Sequence, residues 1–249
     1  MNLKFFSVLA IAAIIWVSCD PSTTKSILDT ANTMTGGGTA PDLTPSNDEI
    51  ISGLKEALST GANNSSGIAS KVDGFNKNPM LFIPFPPEAE KMKKKLIDLG
   101  MQNKITEFET SLNRAAEEAS KSAAPIFIDA IKNMTLTDGM GILKGGDTAA
   151  THYLREKTYA SLIVAFKPTV KNAITKVEVT KYWNPLVTTY NKIPFVEKQN
   201  PDLDSYVTNL AAQGLFKLVR EEEAKIRKDP LARATDILKK VFGYADKNK

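Results

Sequence analysis

Apolar residues recur along this chain at three- and four-residue spacing, the period of a helix with one buried face. The cleanest stripe runs over 103–123, where Ile105, Phe108, Leu112, Ala115, Ala116 and Ala119 share a side. Glu107, Arg114, Glu117, Glu118 and Lys121 lie opposite, and the alanines let a neighbouring helix approach closely. Pro125 ends that run and starts a shorter one over 126–134, with Phe127, Ala130, Ile131 and Met134 apolar. Two longer stripes follow, one carrying Ala150, Tyr153, Leu154, Leu162 and Phe166, the other Val207, Leu210, Ala211, Leu215, Leu218, Val219 and Ile226. A last helix carries Ile237, Leu238, Val241 and Phe242. No series of alternating strands appears; only Met80-Leu81-Phe82-Ile83 reads as a short extended piece. Ile83-Pro84-Phe85 and Ile193-Pro194-Phe195 are alike, but a proline in each favours packed loops over a strand pair. The expected fold class is all-α: a single multi-helix domain of amphipathic helices with at most a short extended or hairpin element.

Punctuation between these stripes follows helix chemistry. Thr135-Leu136-Thr137-Asp138 is a capping start, and Gly145 is placed as the left-handed stop of the short helix that follows. Asp147 then caps the helix running toward Phe166, and Pro168 breaks or kinks it. Asn184-Pro185 reads as another start, a capping residue followed by proline at the first helical position. Pro201-Asp202-Leu203 opens the next helix, which closes at Asp229-Pro230, and Gly243 stops the last.

The front of the chain differs. Phe5 to Val17 is a run of 13 residues with only Ser7 polar, short of the ~20 apolar residues a spanning helix needs. With Lys4 before it and Val17-Ser18-Cys19 after it, the run has the form of a signal peptide and resembles a bacterial lipoprotein signal. Cleavage before Cys19 and acylation of its thiol, with palmitate-type chains, then anchors the protein in a membrane without a spanning segment. An ordinary cleaved export signal is the alternative. Residues 20–46, rich in Ser, Thr, Gly and Pro with Gly36-Gly37-Gly38 at the centre, read as a flexible linker with a reach on the order of 30 Å. The expected organisation is therefore leader 1–18, lipidated Cys19 and linker to 46, helical domain 47–243 and a C-terminal tail 244–249.

Charge narrows the partners. There are 32 Lys and Arg against 28 Asp and Glu, interleaved everywhere except Lys91-Met92-Lys93-Lys94-Lys95. No broad electropositive footprint for nucleic acid is present. Cys19 is the single cysteine and His152 the single histidine. Disulfides, thiolate metal sites and multi-histidine zinc sites are thereby excluded, and no cofactor is expected.

Gly53-Leu54-Lys55-Glu56-Ala57-Leu58, Asp73-Gly74-Phe75, Asn78-Pro79 and Leu112-Asn113-Arg114-Ala115-Ala116-Glu117 stand in order along the chain. Ile142-Leu143-Lys144-Gly145-Gly146-Asp147, Asp202-Leu203-Asp204-Ser205-Tyr206-Val207-Thr208 and Val241-Phe242-Gly243 follow them. Together these segments resemble the family catalogued as domain of unknown function 4197. The resemblance spans essentially the whole domain and implies an exported bacterial protein. It supplies no activity, substrate or catalytic residue.

Candidate chemistry is sparse. His152 could serve acyl transfer, but no Gly-x-Ser-x-Gly elbow accompanies it. Gly145-Gly146-Asp147-Thr148 sets glycines before a helix start, yet the Asp147 carboxylate would repel an anion there. Glu107, Glu109, Glu117, Glu118, Glu221, Glu222 and Glu223 could pair as hydrolase carboxylates, although runs of this kind are usually solvated faces. Tyr182, Trp183, Leu186 and Tyr190 read as a core face sooner than a carbohydrate or lipid platform. The candidate polar network or pocket comprises Asn113, Arg114 and Glu117 on one helix edge, meeting Glu222 or Arg155, with Asp147 and His152 nearby. The expected function is a membrane-tethered binding or interaction module of the bacterial envelope, facing the periplasm or cell surface, with an envelope protein or small ligand as partner. The rival reading is an envelope hydrolase using carboxylates or His152, and a third is a homo-oligomer.

Overall fold

The computed structural model describes residues 44–199 and 201–248. The expected leader, Cys19 and the linker up to residue 43 lie outside the described residues. Ser46 opens α1 (Asn47–Ala69) with a capping box, its hydroxyl accepting from the Glu49 N–H while the Glu49 carboxylate accepts from the Ser46 N–H. A loop and a 3-10 turn at Pro87–Ala89 lead to α2 (Glu90–Asp98). Then come α3 (Gln102–Ser120), α4 (Ala123–Lys132), α5 (Leu136–Lys144), α6 (Ala149–Lys176), α7 (Val179–Asn191) and α8 (Leu203–Lys228). A second 3-10 turn, Pro230–Ala232, precedes α9 (Asp236–Lys247). Among the described residues all regular structure is helical, and the fold is all-α.

The long helices α6 and α8 pack along each other, α1 packs on α8 and α4, and α3 packs on α6 and α7. Each presents its apolar stripe inward. On α3, Ile105, Phe108, Leu112, Ala115, Ala116 and Ala119 are all fully buried, and each large side chain contributes roughly 1.5–3 kcal/mol relative to exposure. Phe108 meets Trp183 of α7 with ring centroids 4.7 Å apart, and Phe85 of the loop closes the trio at 5.3 Å from Phe108. The core face of α7 is Val179, Trp183, Leu186 and Tyr190, with Tyr182 and Val187 partly buried beside it. Arg233 fastens the last helix: it donates to the carbonyls of Ile226 and Arg227 at the end of α8 and to Asp246 of α9. No helix among the described residues is long and apolar enough to cross a membrane.

Several local expectations change. The helix that begins beyond Gly146 continues through Pro168 to Lys176, and α7 contains Pro185 in its interior rather than starting there. Both prolines are exposed, so the carbonyl each leaves without an N–H partner lies on the solvent side. α4 likewise starts at Ala123, with Pro125 in its first turn where no N–H is needed. Helix α1 has no counterpart among the expected elements, although Ser46 and Glu49 spell its cap. Met80 to Ile83 forms turn and coil without a strand. α9 passes Gly243 and ends at Lys247, so residues 244–247 are helix rather than tail.

Gly145 ends α5 in an extended conformation, φ −74° and ψ 173°, and not in the left-handed one. Its lack of a side chain answers a close approach instead. A Cβ there would lie 2.5 Å from Ala149 Cβ and 2.8 Å from the Gly141 carbonyl oxygen, whereas nothing stands within 4 Å of one at Gly146. Gly145→Ala is expected to destabilise the chain by about 1–3 kcal/mol in urea unfolding, through overpacking. Gly146→Ala should stay within about 0.5 kcal/mol.

Candidate functional site

The polar edge of α3 holds the loop between α1 and α2. Glu109, Asn113 and Glu117 are four residues apart, so they line one side of the helix beside its apolar stripe. The Asn113 amide accepts from the Ile83 N–H at 2.8 Å and donates to the Ile83 carbonyl at 2.9 Å, taking the place of a neighbouring strand. Glu109 accepts from the Phe85 N–H and from Lys93. Glu117, 4 % exposed, accepts from the N–H groups of Phe75 and Asn76, both at 3.1 Å, and from Arg114 at 2.6 Å. Arg114 also donates to Asp73 at 2.7 Å.

That loop turns sharply at Asp73, which adopts φ 68°, a left-handed conformation that aspartate tolerates better than most residues. Gly74 follows because any Cβ there would strike the Ile68 and Ala69 carbonyls. The turn delivers Phe75 into full burial against Gly214 of α8. Lys77 first, and Arg114 after it, hold the Asp73 carboxyl down at about 2. The bond to Glu117 raises the Arg114 pKa further, against the desolvation of its guanidinium.

A second carboxylate performs the same service on the other side. Glu223 of α8 accepts from the N–H groups of Ala150 and Thr151 and from the Thr151 hydroxyl, at 2.9, 2.8 and 2.7 Å. It thus caps the α6 N-terminus from another helix, where a negative charge is favoured. Arg227, one turn along, donates to Glu223 at 2.8 Å and to the last-turn carbonyl of Ile142 in α5. The N-cap position itself belongs to Thr148, whose side chain makes no capping bond. Asp147, expected as the cap, meets Lys228 at 2.9 Å.

Of the expected network, the structure brings together Asn113, Arg114 and Glu117, and places Glu222, Asp147, His152 and Arg155 apart from these three. Glu222 bonds Asn64 and Lys225 instead of Arg114. Arg155 lies over the rings of Tyr159 and Phe216, at 5.1 and 5.8 Å. The His152 side chain is 79 % exposed, with Nδ1 4.0 Å from Glu156. Asp73 and Arg227 have no place in the expected network, and Glu109 and Glu223, expected only as members of carboxylate runs on solvated faces, are bonded to backbone instead. The i,i+4 spacings Glu109-Asn113-Glu117 and Glu223-Arg227 were the available signal, one that solvated helix faces share.

An open groove of about 450 Å³ lies beside this network, walled by Val72, Thr110, Arg114, Val177 and Tyr182. The carboxylates near it are committed: Glu117 to backbone and Arg114, Glu118 to Lys121 and Lys176. Among the described residues no group of three or more His, Cys, Asp or Glu could hold a metal ion. The arrangement can fix a surface and present it.

Removing Glu223 strands the Arg227 guanidinium, 2 % exposed at the side chain, and frees two backbone donors. Glu223→Ala should cost about 3–5 kcal/mol in chemical unfolding, against at most about 0.5 kcal/mol for exposed Glu221→Ala on the same helix. For Asp73, the carboxyl carbon followed by NMR should titrate near 2 rather than at the ordinary 3.8. The folded state binds that proton more weakly than the unfolded one, so the stabilisation is complete above the unfolded value and is lost as pH falls through the folded one. Lys77→Met should move the midpoint back toward 3.8.

The fold can be set against known proteins. No curated protein and no solved structure matches this chain. One family model does match, over residues 44–243, which covers every described helix except the last turn of α9, and its description is Protein of unknown function (DUF4197). The chain, with the α3 edge and the Glu223 cap inside the matched span, belongs to the DUF4197 family.

Proposed function

We propose that this DUF4197 protein is a lipid-anchored component of the bacterial envelope whose helical domain binds a partner or small ligand without transforming it. The observation that carries the non-catalytic half is how the buried carboxylates are used. Glu117 and Glu223 each accept from two consecutive backbone N–H groups and from an arginine. A general acid, base or nucleophile must present a lone pair or proton to the substrate, and these have spent theirs on the chain. His152, the other candidate, stands exposed beside Glu156.

Support for the anchor is the run Phe5 to Val17 followed by Val17-Ser18-Cys19. A single acyl chain holds marginally and two or more hold stably, at roughly 0.8 kcal/mol per buried CH₂. The anchored domain then meets its ligand near the membrane, facing the periplasm or the cell surface.

Mass spectrometry of protein from its native membrane should find an acylated Cys19 at the N-terminus, and Cys19→Ser should leave the leader attached. The purified chain should turn over no peptidoglycan, ester or phosphate substrate. An activity abolished by His152→Ala or by a single glutamate substitution, with the helical circular dichroism intact, would replace the binding reading with the hydrolase one.

A further inference from the structure

The chain has five arginines. Arg114, Arg227 and Arg233 each bond a carboxylate. The remaining two, Arg155 of α6 and Arg220 of α8, meet no carboxylate among the described residues, and both line one groove of about 360 Å³ between those helices. Lys217 and His152 line it as well, with Gln213 and Phe216, and its lining includes no acidic residue.

The carboxylates nearest the groove are outside its lining: Asp147, which precedes Thr148, meets Lys228 at 2.9 Å. Glu223 touches the groove only through Thr151, and Arg227 already neutralises it. Glu156 reaches His152 at 4.0 Å in an exposed pair, which contributes little. Lys217 donates to the Met80 carbonyl, which leaves its charge uncompensated and two of its three donors free.

Arg155 is held ready. Its guanidinium lies over the rings of Tyr159 and Phe216, 5.1 and 5.8 Å from their centroids, and this cation–π contact occupies none of its N–H donors. A planar guanidinium fork matches two oxygens of one anion. Arg220 and Lys217 add charge from the facing helix, and Gln213 adds a neutral donor. Two arginines and a lysine call for more than a single negative charge, and a tetrahedral oxyanion offers three terminal oxygens to share among them.

We propose that the groove between α6 and α8 binds a phosphate monoester, with Arg155 as the bidentate fork and Arg220 and Lys217 completing the charge. The inference rests on the binding-module reading and names its ligand class. The phosphate belongs either to a soluble ester or to a lipid headgroup, and the two present the same group.

The test uses the full chain carrying Cys19→Ser, so that acylation does not contribute. One arm titrates glycerol 3-phosphate by calorimetry; the other measures cosedimentation with phosphatidylcholine vesicles with and without phosphatidic acid. Saturable binding is expected in at least one arm, the first marking a soluble ester and the second alone a headgroup. Arg155→Gln/Arg220→Gln should weaken it by about tenfold or more. Lys91→Gln/Lys94→Gln, which removes two exposed charges from α2, should leave it unchanged. Absence of phosphate-dependent binding in both arms, or equal loss in the two double variants, overturns the assignment. If the arginine double variant loses helical circular dichroism, Arg220→Gln alone replaces it, and undiminished binding by that folded variant overturns the assignment equally. Release of inorganic phosphate from the ester would support the site and overturn the binding-module reading.

Discussion

A carboxylate can be buried in a helical domain only if hydrogen bonds replace its water, and here two carboxylates meet that condition with the backbone of a distant segment. Glu117 takes the N–H groups of Phe75 and Asn76; Glu223 takes those of Ala150 and Thr151. Each is charge-balanced by an arginine on its own helix, Arg114 three residues before it or Arg227 four residues after it. The bonds span about 41 and 72 residues of sequence, so they set tertiary geometry where propensity sets only local form. Glu117 fixes the loop that seats Phe75 against α8. Glu223 fixes where α6 begins relative to α8, and thereby the walls of the groove carrying Arg155 and Arg220.

This division explains what was legible in the sequence. The stripes of α3 and α8 and the caps at Thr135 and Asp202 depend on residues three or four apart, and the pattern states them directly. The cap of α6 depends on a glutamate 73 residues away, whereas the local pattern offers only Asp147. Pro168 makes no break and Pro185 no start, for another reason. A proline ends a helix where the freed carbonyl would be buried, and these two face solvent, a property that neighbouring residues do not encode. Gly145 does end a helix, but for contact rather than handedness.

The candidate site was legible in half. Asn113, Arg114 and Glu117 stand on one helical edge by spacing alone, but their partners come from an irregular loop whose path no periodicity describes. The groove between α6 and α8 has the opposite character. Its cations are scattered through the sequence at 155, 217 and 220, unremarkable in composition, and become a cluster only where two helices bring them face to face.

The clasp made by Arg233 gives the last turn of α9 a role that its exposure would not suggest. This guanidinium is nearly inaccessible to solvent, and its carboxylate partner, Asp246, belongs to the last turn of α9. Loss of the Asp246 carboxylate would remove that partner while sparing Leu238, Val241 and Phe242, the buried apolar residues of the helix. The damage would surface at the far side of the joint, where α8 ends. Fraying of that last turn, harmless in most helices, is here a lost counterion.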